Sequence, residues 1–254
     1  MVESEEAGIE VIPGVVLLRG LPTVWLRRAS TVVIADLHLG YEESMARQGV
    51  FLPRLQGSRA VRTIRQVREL TGAKRLVING DVKHEFGRLL RSEKLEVARL
   101  IKAAFDAGYE DVVLVRGNHD NYVKPVIEAL GGSVVEELRE HGALITHGHK
   151  RVGEHPGLVI IGHEHPSMSV NISGVRARFP VFLLVPLEGG EGTVLVLPAA
   201  GAYQTGNPVG PDRSGYLSPL IREKGDIGEA VPIIVDEAEG LMPLPKLSIL
   251  WELL

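Results

Sequence analysis

The sequence predicts an α/β fold. Three observations carry that expectation: short β-branched apolar strings, longer segments of helical period between the early strings, and a switch after His165 to strands joined by tight Gly/Pro turns. The strings are Val32–Ala35, Leu76–Asn79, Val112–Val115, Ala143–Thr146 and Leu158–Ile161. Nearly continuous apolar runs of this length suit strands buried on both faces of a sheet.

The helical segments follow in order. Ala60, Val61, Ile64, Val67 and Leu70 recur at helical spacing and predict a helix over Ser58–Leu70. Ser92 is the expected N-cap of a second helix that runs through Phe105 and ends near Gly108. A shorter helix over Asn121–Leu130 should stop at Gly131-Gly132. Downstream, Ser169–Val175, Val181–Val185 and Thr193–Leu197 read as strands. Residues 198–228, rich in Gly and Pro, read as a long irregular loop. A strand at Val231–Val235 and an apolar tail at Ile249-Leu250-Trp251 close the chain. With no internal repeat and no convincing linker, residues 1–254 are expected to form one domain.

Composition narrows the function. The chain is 44% apolar and 24% charged, enough for a sizeable core. It has no cysteine, which excludes disulfides, zinc–thiolate sites and thiol nucleophiles. A net charge of -4 argues against a broadly basic nucleic-acid sleeve but permits a local basic patch. The acidic stretch Met1–Glu6 does not resemble a secretory signal, and no apolar run is long enough to cross a bilayer. The expectation is a cytoplasmic protein that does not meet a membrane. Arg far outnumbers Lys while Asn, Gln and Cys are scarce, a composition that suggests a heat-adapted source.

Each of the five apolar strings runs into a polar motif. In order these are Asp36-Leu37-His38, Gly80-Asp81, Gly117-Asn118-His119-Asp120, His147-Gly148-His149 and Gly162-His163-Glu164-His165. Ligands of open α/β sheets bind beyond the carboxyl ends of the strands, so one rim should collect all five. Carboxylate, imidazole and amide oxygen without sulfur suit Mn, Fe, Zn, Co or Ni. Asp36, His38, Asp81, Asn118, His147, His163 and His165 exceed what one tetrahedral ion needs and fit two ions sharing a carboxylate. Two such ions, roughly 3.5–4 Å apart, can hold a bridging hydroxide and clamp both the attacking and leaving oxygens of a phosphoryl centre.

Taken singly, the motifs have plainer readings: Asp36 could cap a helix near Tyr41, and Gly117–Asp120 could be a turn. Their recurrence in this order at five strand ends favours the metal reading.

The same motifs, in the same order, resemble those of the calcineurin-like metallophosphoesterase superfamily. Asn79–Phe86 and Gly162–Pro166 further resemble its SbcD-related, DNA-ligase-associated group. The resemblance implies a four-layer α/β/β/α sandwich of two mixed sheets. It implies that Asp36, His38 and His165 bind one metal, that Asn118, His147 and His163 bind the other, and that Asp81 bridges them. The resemblance further implies that His119 stays off the metals and protonates the leaving oxygen. His84 and His149 adjoin the motifs as supporting or substrate-facing residues.

The activity so implied is hydrolysis of a phosphate ester, a diester in preference to a monoester, with Mn as the first expectation. The substrate could be a nucleotide or a nucleic-acid end. A DNA or RNA nuclease in repair or processing is the alternative, and a non-catalytic scaffold of the same fold is the alternative of another class. Assembly into an oligomer stays open. Many relatives have Asp where this chain has His84, and the Gly-Asp-x-x-Asp-Arg-Gly form of protein phosphatases is absent, which argues against that activity.

Outside the motifs, Arg59, Arg62, Arg65 and Arg68 recur at steps of three and read as a solvated helix face, the alternative being a phosphate-tracking one. Trp25 and Trp251 read as core or interface residues, and His141 and His155 as surface residues.

Overall fold

The computed structural model describes residues 7–172 and 174–252; the acidic stretch at residues 1–6 lies outside them. The chain opens with a meander that apolar periodicity did not reveal: β1 (Gly8–Ile12), β2 (Val15–Leu18) and β3 (Thr23–Leu26) pair antiparallel, and β3 pairs with β4 (Thr31–Ile34). From β4 onward the connections are helical. α1 (Tyr41–Arg47) and α2 (Gln56–Thr71) lead to β5 (Arg75–Asn79), and α3 (Arg91–Asp106) leads to β6 (Asp111–Val115). α4 (Lys124–Glu128) leads to β7 (Ser133–Val135), and β4 through β7 lie parallel. The first sheet therefore has seven strands in sequence order.

The second sheet is mixed and crossed. β8 (Leu138–Glu140) pairs antiparallel with β9 (Ala143–Ile145), and β9, β10 (Leu158–Ile161) and β13 (Thr193–Val196) lie parallel. β12 (Val175–Pro186) joins β13 antiparallel and extends as a long hairpin with β11 (Pro166–Ile172). β14 (Asn207–Pro208) adds to β11, and β15 (Val231–Asp236) with β16 (Gly240–Pro243) flanks β12.

Strand alternation sorts the side chains into three apolar layers. Val33, Val77, Val113 and Val115 of the first sheet meet Ile145, Ile160, Phe182 and Leu195 of the second, which glues sheet to sheet. Their neighbours Ile34, Ile78 and Leu114 face Ile64, Val67, Val97 and Ile101 of α2 and α3. On the far side Val159, Ile161 and Val194 face Leu220, Ile221 and Leu247, carried by α5 (Pro219–Lys224) and α6 (Leu247–Glu252). The result is the expected α/β/β/α sandwich.

Several boundaries move. α3 begins at Arg91 with Leu90 as N-cap in place of Ser92, because the Glu93 carboxylate takes the Leu90 N–H at 2.7 Å. The helix expected over Asn121–Leu130 shrinks to α4, since Pro125 fixes the first turn and residues 121–123 form turns. The strand expected over Ser169–Val175 divides at the hairpin tip between β11 and β12. Residues 198–228 are not structureless: they hold β14, a 3-10 turn at Arg213–Gly215 and α5. The irregularity follows the Glu164 carboxylate, which accepts from Leu217 N and Ser218 N and ties the segment to the rim. Trp25 packs against the helix-side core and Trp251 against the far-side core, as expected.

Candidate metal centre

Five parallel strands end at one rim, and each runs straight into a motif. β4 ends before Asp36 and His38, β5 before Gly80-Asp81, and β6 before Asn118 and His119. From the other sheet, β9 ends before His147 and His149, and β10 before His163 and His165. Neither sheet alone completes the cluster.

The backbone at the rim is held in an uncommon conformation. Asp36, His38, Asp81, His163 and His165 all have positive φ, from 46° to 66°. Such angles cost a non-glycine residue of order 1–3 kcal/mol and persist only where surrounding structure enforces them. The enforcement is visible. The Asp120 carboxylate accepts from Asp81 N at 2.8 Å, Val82 N at 2.9 Å and Gly117 N at 2.8 Å, joining the β5 and β6 ends. Asp36 Oδ2 accepts from His163 N at 3.0 Å, joining the two sheets. Gly80 has φ +82°, and a Cβ there would lie 2.0 Å from His147 Nδ1, so only glycine lets that ring approach.

Two donor groups result. Asp36, His38 and His165 place ligand atoms within 4.8 Å of one another, and so do Asp81, His147 and His163. In the first, His165 Nε2 stands 3.1 Å from Asp36 Oδ1 and 3.4 Å from His38 Nε2. In the second, His147 Nε2 stands 3.2 Å from Asn118 Oδ1 and 3.4 Å from Asp81 Oδ2. The same Asp81 Oδ2 lies 3.9 Å from His38 Nε2, so this oxygen sits between the groups. Asp81 Oδ1 faces away from them and accepts from His119 N at 2.9 Å.

Charge and protonation fit a cation. Asp36 and Asp81 are buried, and among the described residues no Lys or Arg pairs with either. Burial alone would lower His147, but the Asp81 and Asp36 carboxylates outweigh it and push the ring up to about 9. Burial pushes His38 down to about 3, and burial together with His147 pushes His163 down to about 4. Both rings thus keep free lone pairs at neutral pH, while the carboxylates draw in whatever positive charge is at hand. His147 Nδ1 lies 3.0 Å from the Asn79 carbonyl, and donating there leaves Nε2 to the centre. The donor set suits borderline divalent ions.

The flanking residues fall into place around the centre. His119 turns Nδ1 to the His84 carbonyl, and its ring stands edge-on to His38 with centroids 5.3 Å apart. His84 stacks on His119 at 5.9 Å and meets Tyr41 at 4.8 Å; His38, His84 and His119 also place nitrogens within 4.8 Å of one another. His149 is half-buried against His147, and burial pushes it down to about 4. His141 is exposed, whereas His155 is half-buried, which differs from the surface position expected of it. Asp36 caps no helix: the N-cap of α1 is Gly40. Asp120 was legible only as a member of the third motif, and nothing in its spacing marked it as the clasp of two loops.

Residues 29–142 match the family model described as calcineurin-like phosphoesterase. Over that stretch the chain is similar to calcineurin-like phosphoesterases. The matched stretch covers the first three motifs, and the remaining two lie beyond it. No curated protein matches the sequence. Among solved structures, a nuclease of Pseudomonas putida named MPE shares the fold with a TM-score of 0.63 and 21% identity, over 91% of this chain and 94% of that one. Among the described residues no helix is long and apolar enough to cross a membrane.

Proposed function

We propose that the protein hydrolyses phosphodiesters with two divalent ions held by the seven residues of the rim. The observation that carries this reading is the pair of three-donor groups with Asp81 Oδ2 between them. Asp36, His38 and His165 would hold one ion and Asn118, His147 and His163 the other, with Asp81 shared between them. When bound, such ions activate water and neutralise the phosphoryl oxygens.

The chain's own residues supply the rest. Asp36 and Asp81 set the charge of the centre, and Asn79 fixes the His147 tautomer through its carbonyl. The His84 carbonyl receives Nδ1–H of His119, which leaves Nε2 of that ring to deliver a proton to the departing oxygen. His84 and His149 flank the two ends of the cluster, where they can meet the ester.

Two features favour a diester. Lys83, the buried cation nearest the rim in sequence, spends its ammonium on the carbonyls of Glu85 and Arg88, so it does not clamp a dianionic monoester. Phe86, half exposed, stands edge-on to His119 at 5.6 Å and offers an apolar face for a second substituent on the phosphorus. The nuclease named among the similar folds favours a nucleic-acid backbone as that diester.

Mn is the ion we expect to serve best. The test is hydrolysis of bis(p-nitrophenyl) phosphate by protein stripped with a chelator and then reloaded. Stripping should abolish turnover and Mn should restore it. Full turnover in thoroughly stripped protein would remove the basis of the reading.

A further inference from the structure

The structure gathers a positively charged region away from the rim. A hollow of about 370 Å³ opens beside the first half of α2, lined by Arg19, Ser58, Arg59, Arg62, Thr63 and Gln66, with Glu237 as its one acid. Arg19 comes from the turn after β2, so the cations converge from separate elements. The hollow shares Ser58, Arg62 and Gln66 with a second one along α2 that adds Arg65, Glu69 and Arg99, and a third adds Lys102 and Asp106.

Arg59 pairs with Glu237. Among the described residues, Arg19, Arg62, Arg65, Arg99 and Lys102 have no carboxylate within 4.0 Å, although the chain as a whole is net negative by 4. A solvated helix face accounts for Arg59, Arg62 and Arg65 at steps of three, but not for Arg19 and Arg99 meeting them from other elements.

The hollow abuts the wall of the metal centre. Its residue Ala202 donates N–H to Gln56 Oε1 at 2.8 Å, and Gln56 Nε2 donates to the Leu37 carbonyl between Asp36 and His38. The neighbouring Gly201 N–H reaches the Asp36 carbonyl at 3.1 Å. α2 leaves that wall at Gln56 and carries its arginines away from it, each about 4.5 Å further along the axis. Long, always-charged guanidinium side chains ranged along one face can reach successive phosphates of one nucleic-acid strand without a fixed repeat.

We infer that the α2–α3 face is a phosphate-tracking groove that binds the backbone of a polynucleotide substrate beyond the scissile bond. This rests on the diester reading of the metal centre, and it adds a preference for long polyanions over small esters.

The experiment compares wild type with Arg62→Gln/Arg65→Gln, both residues being exposed and free of structural bonds. Affinity for a long single-stranded oligonucleotide is read by fluorescence anisotropy with chelator present, so binding is measured without turnover. Hydrolysis of bis(p-nitrophenyl) phosphate is measured separately with Mn. A charge-matched control, Lys224→Gln/Lys246→Gln, removes two exposed cations from the opposite outer layer.

The double arginine variant should bind the oligonucleotide about tenfold more weakly. Its log Kd should depend less steeply on log salt, by roughly 1.4, about 0.7 for each lost phosphate contact on a single strand. Hydrolysis of the small diester should be unchanged, and the lysine control should bind like wild type. Wild-type affinity and salt slope in the arginine variant would overturn the groove, as would an equal loss in the lysine control. Failure of the wild type to bind the oligonucleotide would overturn it as well. Binding that behaves as expected beside a protein inert toward the small diester would instead strike the catalytic reading alone.

Discussion

Asp81 and His119 sit side by side at the rim, and the roles proposed for them are separable, because one faces the donor groups with an oxygen and the other meets Asp81 only through its backbone N–H. In Asp81→Asn the shared negative charge disappears, and two dications at roughly 3.5–4 Å would repel each other unscreened. Metal analysis of that variant should show loss of at least one ion together with nearly all turnover, in a protein that still folds. Two ions and a normal rate would move the bridge to another residue. His119→Ala should retain both ions and lose roughly 10²–10⁴-fold in rate, the range for a positioned proton donor. The loss should be largest for alkyl esters, which leave as poor alkoxides, and smallest for nitrophenyl esters. A loss that is uniform across leaving groups, or that includes a metal, would make His119 a ligand or a scaffold residue.

At the scale of elements, the loops after β5 and β6 are one unit clasped by Asp120. Its carboxylate is buried and takes three backbone N–H groups, while burial and the Asp81 charge push its pKa up to about 6. Asp120→Ala would leave those N–H groups without their acceptor, at about 1–3 kcal/mol for each that stays dry. Urea unfolding should show a lower midpoint with an unchanged slope, and the metal-dependent rate should fall because Asp81 loses its tether. Unaltered stability would mean that water replaces the carboxylate. The strand-end glycine tests the same unit from the other side. A methyl group at Gly80 would collide with the His147 imidazole, so Gly80→Ala should reduce metal content more than a glycine-to-alanine change at Gly153, where a Cβ meets nothing within 4 Å.

For the whole molecule, the candidate metal centre is a product of sheet docking. Asp36, His38, Asp81 and Asn118 come from the ends of one sheet and His147, His163 and His165 from the other, while Val33, Val77 and Val113 against Ile160, Phe182 and Leu195 hold the sheets together. Metal binding and sandwich stability should therefore be coupled. Added Mn should raise the melting temperature of the wild type and do so far less in Asp81→Asn. Phe182→Ala, at a fully buried position between the sheets, should cost about 3–5 kcal/mol and weaken metal retention at the same time. A destabilised variant that kept both ions as tightly as wild type would show that the two halves of the centre do not depend on the docking.

What the sequence by itself determined is the part that repeats a local rule. An apolar string followed, directly or after a Gly, by Asp, Asn or His states a buried strand, a turn and a donor, so the five strand ends and the residues they deliver were legible in the sequence. Local rules failed where the determinants are distant. The strands of the meander β1–β3 end in turns without Asp, Asn or His, so the rule that marked the other strand ends did not reach them. Residues 198–228 are shaped by the reach of Glu164 for Leu217 and Ser218 across more than fifty positions. Only the tertiary structure decided that one oxygen of Asp81 faces both donor groups while the other holds His119, that Asp120 ties two loops, and that Arg19 and Arg99 meet the arginines of α2. The physical reason is the same in each case: residue type and spacing fix which way a strand or helix presents its side chains, but the atoms that meet at an edge depend on how whole layers pack.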